Sequence, residues 1–477
     1  MVLVGDAADA ARGAVAPERA SYDHGTMSHN TGRAPSPDRP LREWGRWSEM
    51  DADSRRSLVD RGIETVYDEA LRDSIVTLLE DVRSRGDAAV LDALRRFDGC
   101  DIPEGGLRIT EAELDAGVAA TSTEVVDALR DAIAHVRRFN EQVCERGDWS
   151  FESDPGLVVG ERVTAIESAG LFVPSGKGSF PSVLVQLAVP ALVAGVEHVV
   201  VVVPPLPGSQ GTVDPAVLAA CRLLGLGDVF RVNGPAGIAA LAFGTETIPR
   251  VRLAVGPGGP AVTCAQVEVQ RYGTVTTMVL GPTESLIVAD DSTDVRLLAF
   301  DLLNEAEHGS DSTSLLVTTS PALVESAQRA VATLLAALPE PRRSYAADAL
   351  GVNGGAIVVD DLEEAARVAN AFGPEHLQVA LRSPDAVVSM IRNAGEILIG
   401  QHTPFSAANY VLGCPASLPT SGFAKVSSGV TADTFRKRTA TAQMNSDAMR
   451  RVTPSIVALA RHEGFPAHEA AAHAREE

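Results

Sequence analysis

The chain has 477 residues, 45% hydrophobic and 22% charged, enough for two or three domains that each bury a core. A net charge of −22, from 41 basic and 63 acidic residues, argues against nucleic acid as a partner, because phosphate binding needs clustered Lys and Arg. Five cysteines without a CxxC spacing, a start without an apolar core and no run of the ~18–20 apolar residues a bilayer requires argue against a disulfide scaffold, a secretory signal and a membrane span, so a cytoplasmic location is expected.

Residues 1 to about 40 mix Gly, Pro, Ser, His and charge without a period, which predicts a disordered leader. Residues 41–158 read as a mainly helical region, with apolar residues three and four apart from Asp68 to Arg85 and from Ser122 to Asn140. After Val159 short β-branched runs alternate with helical stretches. The first series has strands at Val199 to Val203, Val229 to Val232 and Val251 to Val255. Its helices run from Asp214 to Leu224, Ile238 to Phe243 and Ala261 to Arg271. The second has strands at Ser285 to Ala289, Ser314 to Thr318, Ala356 to Val359, Leu377 to Leu381 and Glu396 to Ile399. Between them lie helices from Val295 to Glu307, Pro321 to Ala336 and Leu362 to Phe372. Short buried strands separated by helices require parallel sheets covered on both faces. The predicted class is therefore α/β, with two Rossmann-like doubly wound domains at residues 159–284 and 285–424. Residues 425–477 read as a helical, polar tail without a sheet of its own, suited to packing on another domain or subunit.

No Gly-x-Gly-x-x-Gly fingerprint follows a strand; Gly256-Pro257-Gly258-Gly259 comes nearest and lacks the third Gly. The loop Val173-Pro174-Ser175-Gly176-Lys177-Gly178 is also Gly-rich without being a Walker motif. Both are turn glycines or backbone ligand contacts. Glu305 and His308 end a helix three residues apart, on one face, where a carboxylate and an imidazole suit a zinc ion. The other reading is a histidine sitting at the negative end of the helix dipole. Glu375-His376 lies between a helix and a strand; it is either a buried pair for proton transfer or a turn with a solvated Glu and a capping His. Glu463 and His468 belong to the polar tail.

Taken together these segments resemble histidinol dehydrogenases, in order from about Trp44 to His468. The resemblance rests on Gly170-Leu171-Phe172-Val173-Pro174, IAALAFGTETIP from Ile238, VGPGG from Val255 and LGPTES from Leu280. It continues through DLLNEAEHGSDS from Asp301, FGPEHL from Phe372, LPTSGFAK from Leu418 and FRKRT from Phe435. It implies NAD-dependent oxidation of an amino alcohol in two steps, with zinc positioning the substrate. It also implies His376 as proton acceptor, Glu375 as activator of water, and a homodimer in which Glu463 and His468 complete the partner's site. The implied metal set is Glu305, His308, Asn409 and His468, with Glu305 where the family has Gln and Asn409 where it has Asp. Thr283 stands for the family's substrate Ser, and Ala416 replaces a substrate-contacting His. At the dinucleotide positions Phe172, Ala236 and Gly259 replace Tyr, Gln and Asn, which removes polar contacts. The expectation is a zinc- and NAD-dependent alcohol or amino-alcohol dehydrogenase of altered specificity. A metal-dependent hydrolase or lyase using the same proton transfers, or a non-catalytic homologue, are the alternatives.

Overall fold

The computed structural model describes residues 35–61, 68–174, 178–277 and 281–476. The expected leader lies outside the described residues up to position 34. Its last residues are placed: Ser36 and Arg39 form a bridge, and Arg39 Nη2 reaches Glu325 Oε1 at 2.6 Å. The centre of the Val173 to Gly178 loop and Leu280 of LGPTES also fall outside them.

In chain order the strands are β1 Glu43–Arg46, β2 Trp149–Asp154, β3 Leu157–Ala165, β4 Ser168–Phe172, β5 His198–Val203, β6 Val229–Arg231 and β7 Leu253–Val255. They continue with β8 Glu284–Ala289, β9 Thr313–Thr318, β10 Gly355–Val358, β11 His376–Val379, β12 Glu396–Ile399 and β13 Arg436–Met444. Each β-branched run of the two series lies in one of these strands, and the intervening apolar periodicities are helices. A four-stranded parallel sheet has the order β6-β5-β4-β7. A six-stranded parallel sheet has the order β1-β10-β9-β8-β11-β12. In both, the order reverses beside the first strand of the series, between β4 and β7 and between β8 and β11, as doubly wound sheets do. Aliphatic clusters fill both faces of each sheet: Leu171, Val201 and Val255 on one side of the smaller, Phe172, Val202 and Ala254 on the other.

Three expectations are corrected. The region 41–158 contributes β1, which pairs with β10 at the outer edge of the six-stranded sheet; its four residues are too few to show a period. The parallel series begins at Ser168 rather than Val159, because β2 and β3 form a hairpin of their own. The tail is not wholly helical. β13 runs antiparallel to β3 along nine residues, from Arg436 against Ala165 to Met444 against Leu157. Eight of those nine residues are exposed, so no alternation of polar and apolar marks the strand. The helices Ser446–Glu463 and Pro466–His473 then pack on each other around Met449, Val457 and Ala472. Among the described residues no helix is long and apolar enough to cross a membrane.

Candidate active site

The helix Leu362–Phe372 starts at Asp361, whose side chain accepts from Glu364 N, and stops at Gly373 in the left-handed conformation at φ 62°. Pro374 leads directly into β11, so Glu375 and His376 stand at the amino end of a central strand. The next strand is drawn tightly against them: Gly395 N donates to Pro374 O at 2.9 Å and Glu396 N to Glu375 O at 3.1 Å. A Cβ at position 395 would lie 2.5 Å from Glu375 O, so only glycine permits this approach. Parallel pairing then sets His376 opposite Glu396 on one side and Ser285 on the other.

Glu375 and His376 are 7% and 3% exposed, which removes the solvated-turn reading. Glu375 Oε2 accepts from Glu284 N at 3.0 Å, and Oε1 lies 3.7 Å from His376 Nε2. Burial pushes the Glu375 carboxyl well above the usual carboxylate range, against the opposing pull of His376. For His376 burial acts downward, but the carboxylates Glu375, Glu305 and Glu396 outweigh it and raise its proton affinity. His376 Nδ1 sits 2.5 Å from Glu396 Oε1, and the Phe405 ring meets the imidazole edge-on at 5.9 Å. Glu284 is itself locked. Its side chain pairs with Arg61 Nη2 at 2.6 Å and accepts from Ser421 N at 2.9 Å, while Arg61 stacks on Phe372 at 3.3 Å.

Glu305, on the helix Val295–Ala306 capped by Asp294, is 1% exposed. Its Oε1 accepts from Asn409 Nδ2 at 2.7 Å and Asn304 Nδ2 at 2.9 Å. Its Oε2 and His308 Nδ1 have no hydrogen-bond partner among the described residues. These two atoms face each other at 3.4 Å, and two ligands of a tetrahedral zinc at about 2.0–2.1 Å would stand roughly that far apart. The pair therefore fits a divalent ion. Among the described residues no three His, Cys, Asp or Glu side chains gather closely enough to hold one, so an ion here would need the Asn409 amide and a further ligand. A cavity of about 620 Å³ opens beside the same helix, lined in part by Phe300, Asp301, Asn304, Glu307, His402 and Ser406.

A family model for histidinol dehydrogenase matches residues 63–476. The chain is 41% identical over 392 residues, 82% of its length and 88% of the relative's, to a histidinol dehydrogenase of Rhizobium meliloti. It is 39% identical over 425 residues, 88% of its length and 95% of the relative's, to histidinol dehydrogenase homolog 2 of Mesorhizobium japonicum. The chain belongs to the histidinol dehydrogenase family. The crystal structure of histidinol dehydrogenase from Elizabethkingia anophelis superposes with a TM-score of 0.86 at 28% identity, covering 92% of this chain and 98% of that one.

Of the residues matched to the histidinol dehydrogenase pattern, Glu305, His308, Asn409, Glu375 and His376 gather on one end of the six-stranded sheet. Thr283 adjoins them, immediately before Glu284, with its carbonyl accepting from Thr313 N at 2.9 Å. Ala416, partly buried, lies two residues beyond Cys414, whose thiol donates to Glu396 Oε2 at 3.4 Å. Glu463 and His468 are not brought to this end within one chain; both are exposed on the terminal helical hairpin, His468 tilted against Phe465. Phe172 and Ala236 are each 2% exposed inside the smaller sheet's core, and Gly259 is exposed at the start of the helix Pro260–Val269. Sequence reasoning passed over Arg61, Glu284 and Glu396. The signal was a Glu opening an otherwise apolar strand, as in Glu284-Ser285-Leu286-Ile287 and Glu396-Ile397-Leu398-Ile399.

Proposed function

We propose that the chain is an NAD-dependent dehydrogenase of an alcohol or amino alcohol, assisted by zinc. The observation that carries this reading is the buried Glu375-His376 pair at the sheet end where the Glu305 and His308 atoms face each other without hydrogen-bond partners. Glu305, His308 and the Asn409 carbonyl oxygen would hold the ion, joined by His468 from a second copy of the chain. Zinc held there would supply polarisation of a substrate oxygen, and NAD would supply the hydride acceptor. His376 takes the hydroxyl proton at Nε2, the ring nitrogen not engaged by Glu396. Glu375, whose buried carboxyl holds a proton more readily than a surface one, serves as base toward water in a second oxidation. A homodimer is supported by the exposed Glu463 and His468 and by exposed Leu459 and Phe465 on the same hairpin. Thr283 and Ala416 bound the substrate space, with Ala416 leaving room where an imidazole would stand.

Gly178, where the chain is described again after β4, lies near this end: a Cβ there would be 3.6 Å from Arg342 Nη2, and Arg342 Nη1 donates to Glu307 O at 2.9 Å. NADH formation during a screen of amino alcohols and diols tests the reading. Full activity in Glu375→Gln and His376→Ala variants would remove the mechanism. One observation favours the second reading, a metal-dependent hydrolase or lyase: Phe172 and Ala236 are buried apolar residues and Gly259 has no side chain, so the NAD positions offer no side-chain polar contact. Zinc binding without NAD binding would decide for it.

A further inference from the structure

Glu396 has no part in the reaction just described, yet its geometry is specific. It is 8% exposed, and both carboxylate oxygens are occupied: Oε1 by His376 Nδ1 at 2.5 Å and Oε2 by the Cys414 thiol at 3.4 Å. Strand pairing places it there, since Glu396 and His376 are register partners at the first positions of β12 and β11. The Phe405 ring closes a further side of the imidazole. A carboxylate accepts and does not donate, so Nδ1 must carry the hydrogen, and the acceptor lone pair of the neutral ring is then on Nε2. Nε2 is the atom turned toward Glu375, at 3.7 Å, too far for a hydrogen bond, so its lone pair is not engaged by that carboxyl.

We propose that Glu396 is a positioning residue for His376. It fixes the imidazole with its proton on Nδ1, Cys414 holds Glu396 in turn, and Nε2 is left as the proton acceptor. The proposal rests on the dehydrogenase reading only for the identity of the proton donor. In the step, the substrate O–H bond breaks, an N–H bond forms at Nε2, and the resulting imidazolium carries a hydrogen on each nitrogen. Its charge then sits against Glu396, as a carboxylate behind a catalytic imidazole does in hydrolytic triads.

The test uses the full-length protein with 15N-labelled histidine, the signals of His376 being identified by their loss in His376→Gln. The expected result is a slowly exchanging, far-downfield proton bonded to His376 Nδ1, absent from Glu396→Gln and only slightly moved in Cys414→Ala. Glu396→Gln should also lower kcat roughly a hundredfold while KM changes less than about threefold. A proton found on Nε2 alone, or a downfield signal unchanged in Glu396→Gln, overturns the proposal. So does a Glu396→Gln enzyme with full kcat. The resonance is read without substrate, so wild-type protein that oxidises no alcohol would count against the dehydrogenase reading while the spectrum still decides the role of Glu396.

Discussion

The two parallel sheets reverse their strand order in the same way, yet only the six-stranded one carries buried ionisable residues at its reversal. In the four-stranded sheet the reversal between β4 and β7 brings Phe172 beside Gly256 at the carboxyl ends. A Cβ at Gly256 would lie 2.0 Å from Phe172 O, and the neighbouring side chains are apolar. In the six-stranded sheet the strands at the reversal, β8 and β11, carry Glu284 and His376 at their amino ends, with Glu375 beside them. A crevice built from backbone N–H groups and glycines suits an anionic cofactor without any charged side chain. Proton transfer needs ionisable groups removed from water, and these are tolerated only when every one has a partner. The Arg61, Glu284, Glu375, His376, Glu396 network meets that requirement, each member being paired with another side chain or a backbone N–H.

The sharpest way to break this division is to remove the ionisable pair. His376→Ala or Glu375→Gln should lower kcat/KM for any oxidised alcohol by about 10³ to 10⁴, with NAD affinity, followed by fluorescence titration, unchanged. A parallel loss of NAD affinity would show that the two sheets do not divide the work. Next in size is Arg61→Ala, which leaves Glu284 buried and unpaired and should cost about 3–5 kcal/mol in denaturant unfolding. Glycine substitutions compare the two sheets directly. Gly395→Ala puts a Cβ against Glu375 O and should destabilise by about 2 kcal/mol and slow turnover at least about tenfold, whereas Gly259→Ala, with nothing within 4 Å, should do neither.

The smallest effect concerns Asp301, whose carboxyl is pushed up from 3.8 to about 6 by burial, against a hydrogen bond from Gln378 Nε2 at 2.8 Å. Its folded-state value lies above the unfolded one, so its contribution to stability is complete below 3.8 and is lost as pH rises through about 6. Asp301→Asn should therefore match the wild type near the lower of these values and exceed it by about 2 kcal/mol above neutrality, measured by thermal unfolding across pH. A constant difference at all pH values would show that this carboxyl does not titrate in the native range.

The alternation of β-branched and helical stretches was legible because each strand is buried on both faces, so Val199 to Val203 or Ser314 to Thr318 could belong only to a covered parallel sheet. β1 and β13 were not legible. One is four residues long and the other is exposed along almost its whole length, so neither carries a hydrophobic pattern; each is a strand because another strand offers it hydrogen bonds. The same holds for the site. Glu305-x-x-His308 and Glu375-His376 are local motifs and could be read as such. Arg61 and Glu284 are 223 positions apart, and the contact between Glu396 and His376 depends on strand register rather than on spacing along the chain.

β1 joins β10 with Trp44 Nε1 donating to Gly354 O across 310 positions of sequence, and Arg61 follows after one short helix, Ala52–Val59. During synthesis the segment that emerges among the first is thus among the last to be seated. Its docking strand does not exist until three quarters of the chain has left the ribosome, and the arginine that neutralises Glu284 arrives in the same stretch. Until then the nascent chain carries β1 and Arg61 without their partners, a state that favours chaperone capture over early compaction. The outer edge of the sheet and the charge balance of its interior are thus closed together, by one segment that precedes both of its partners in the sequence.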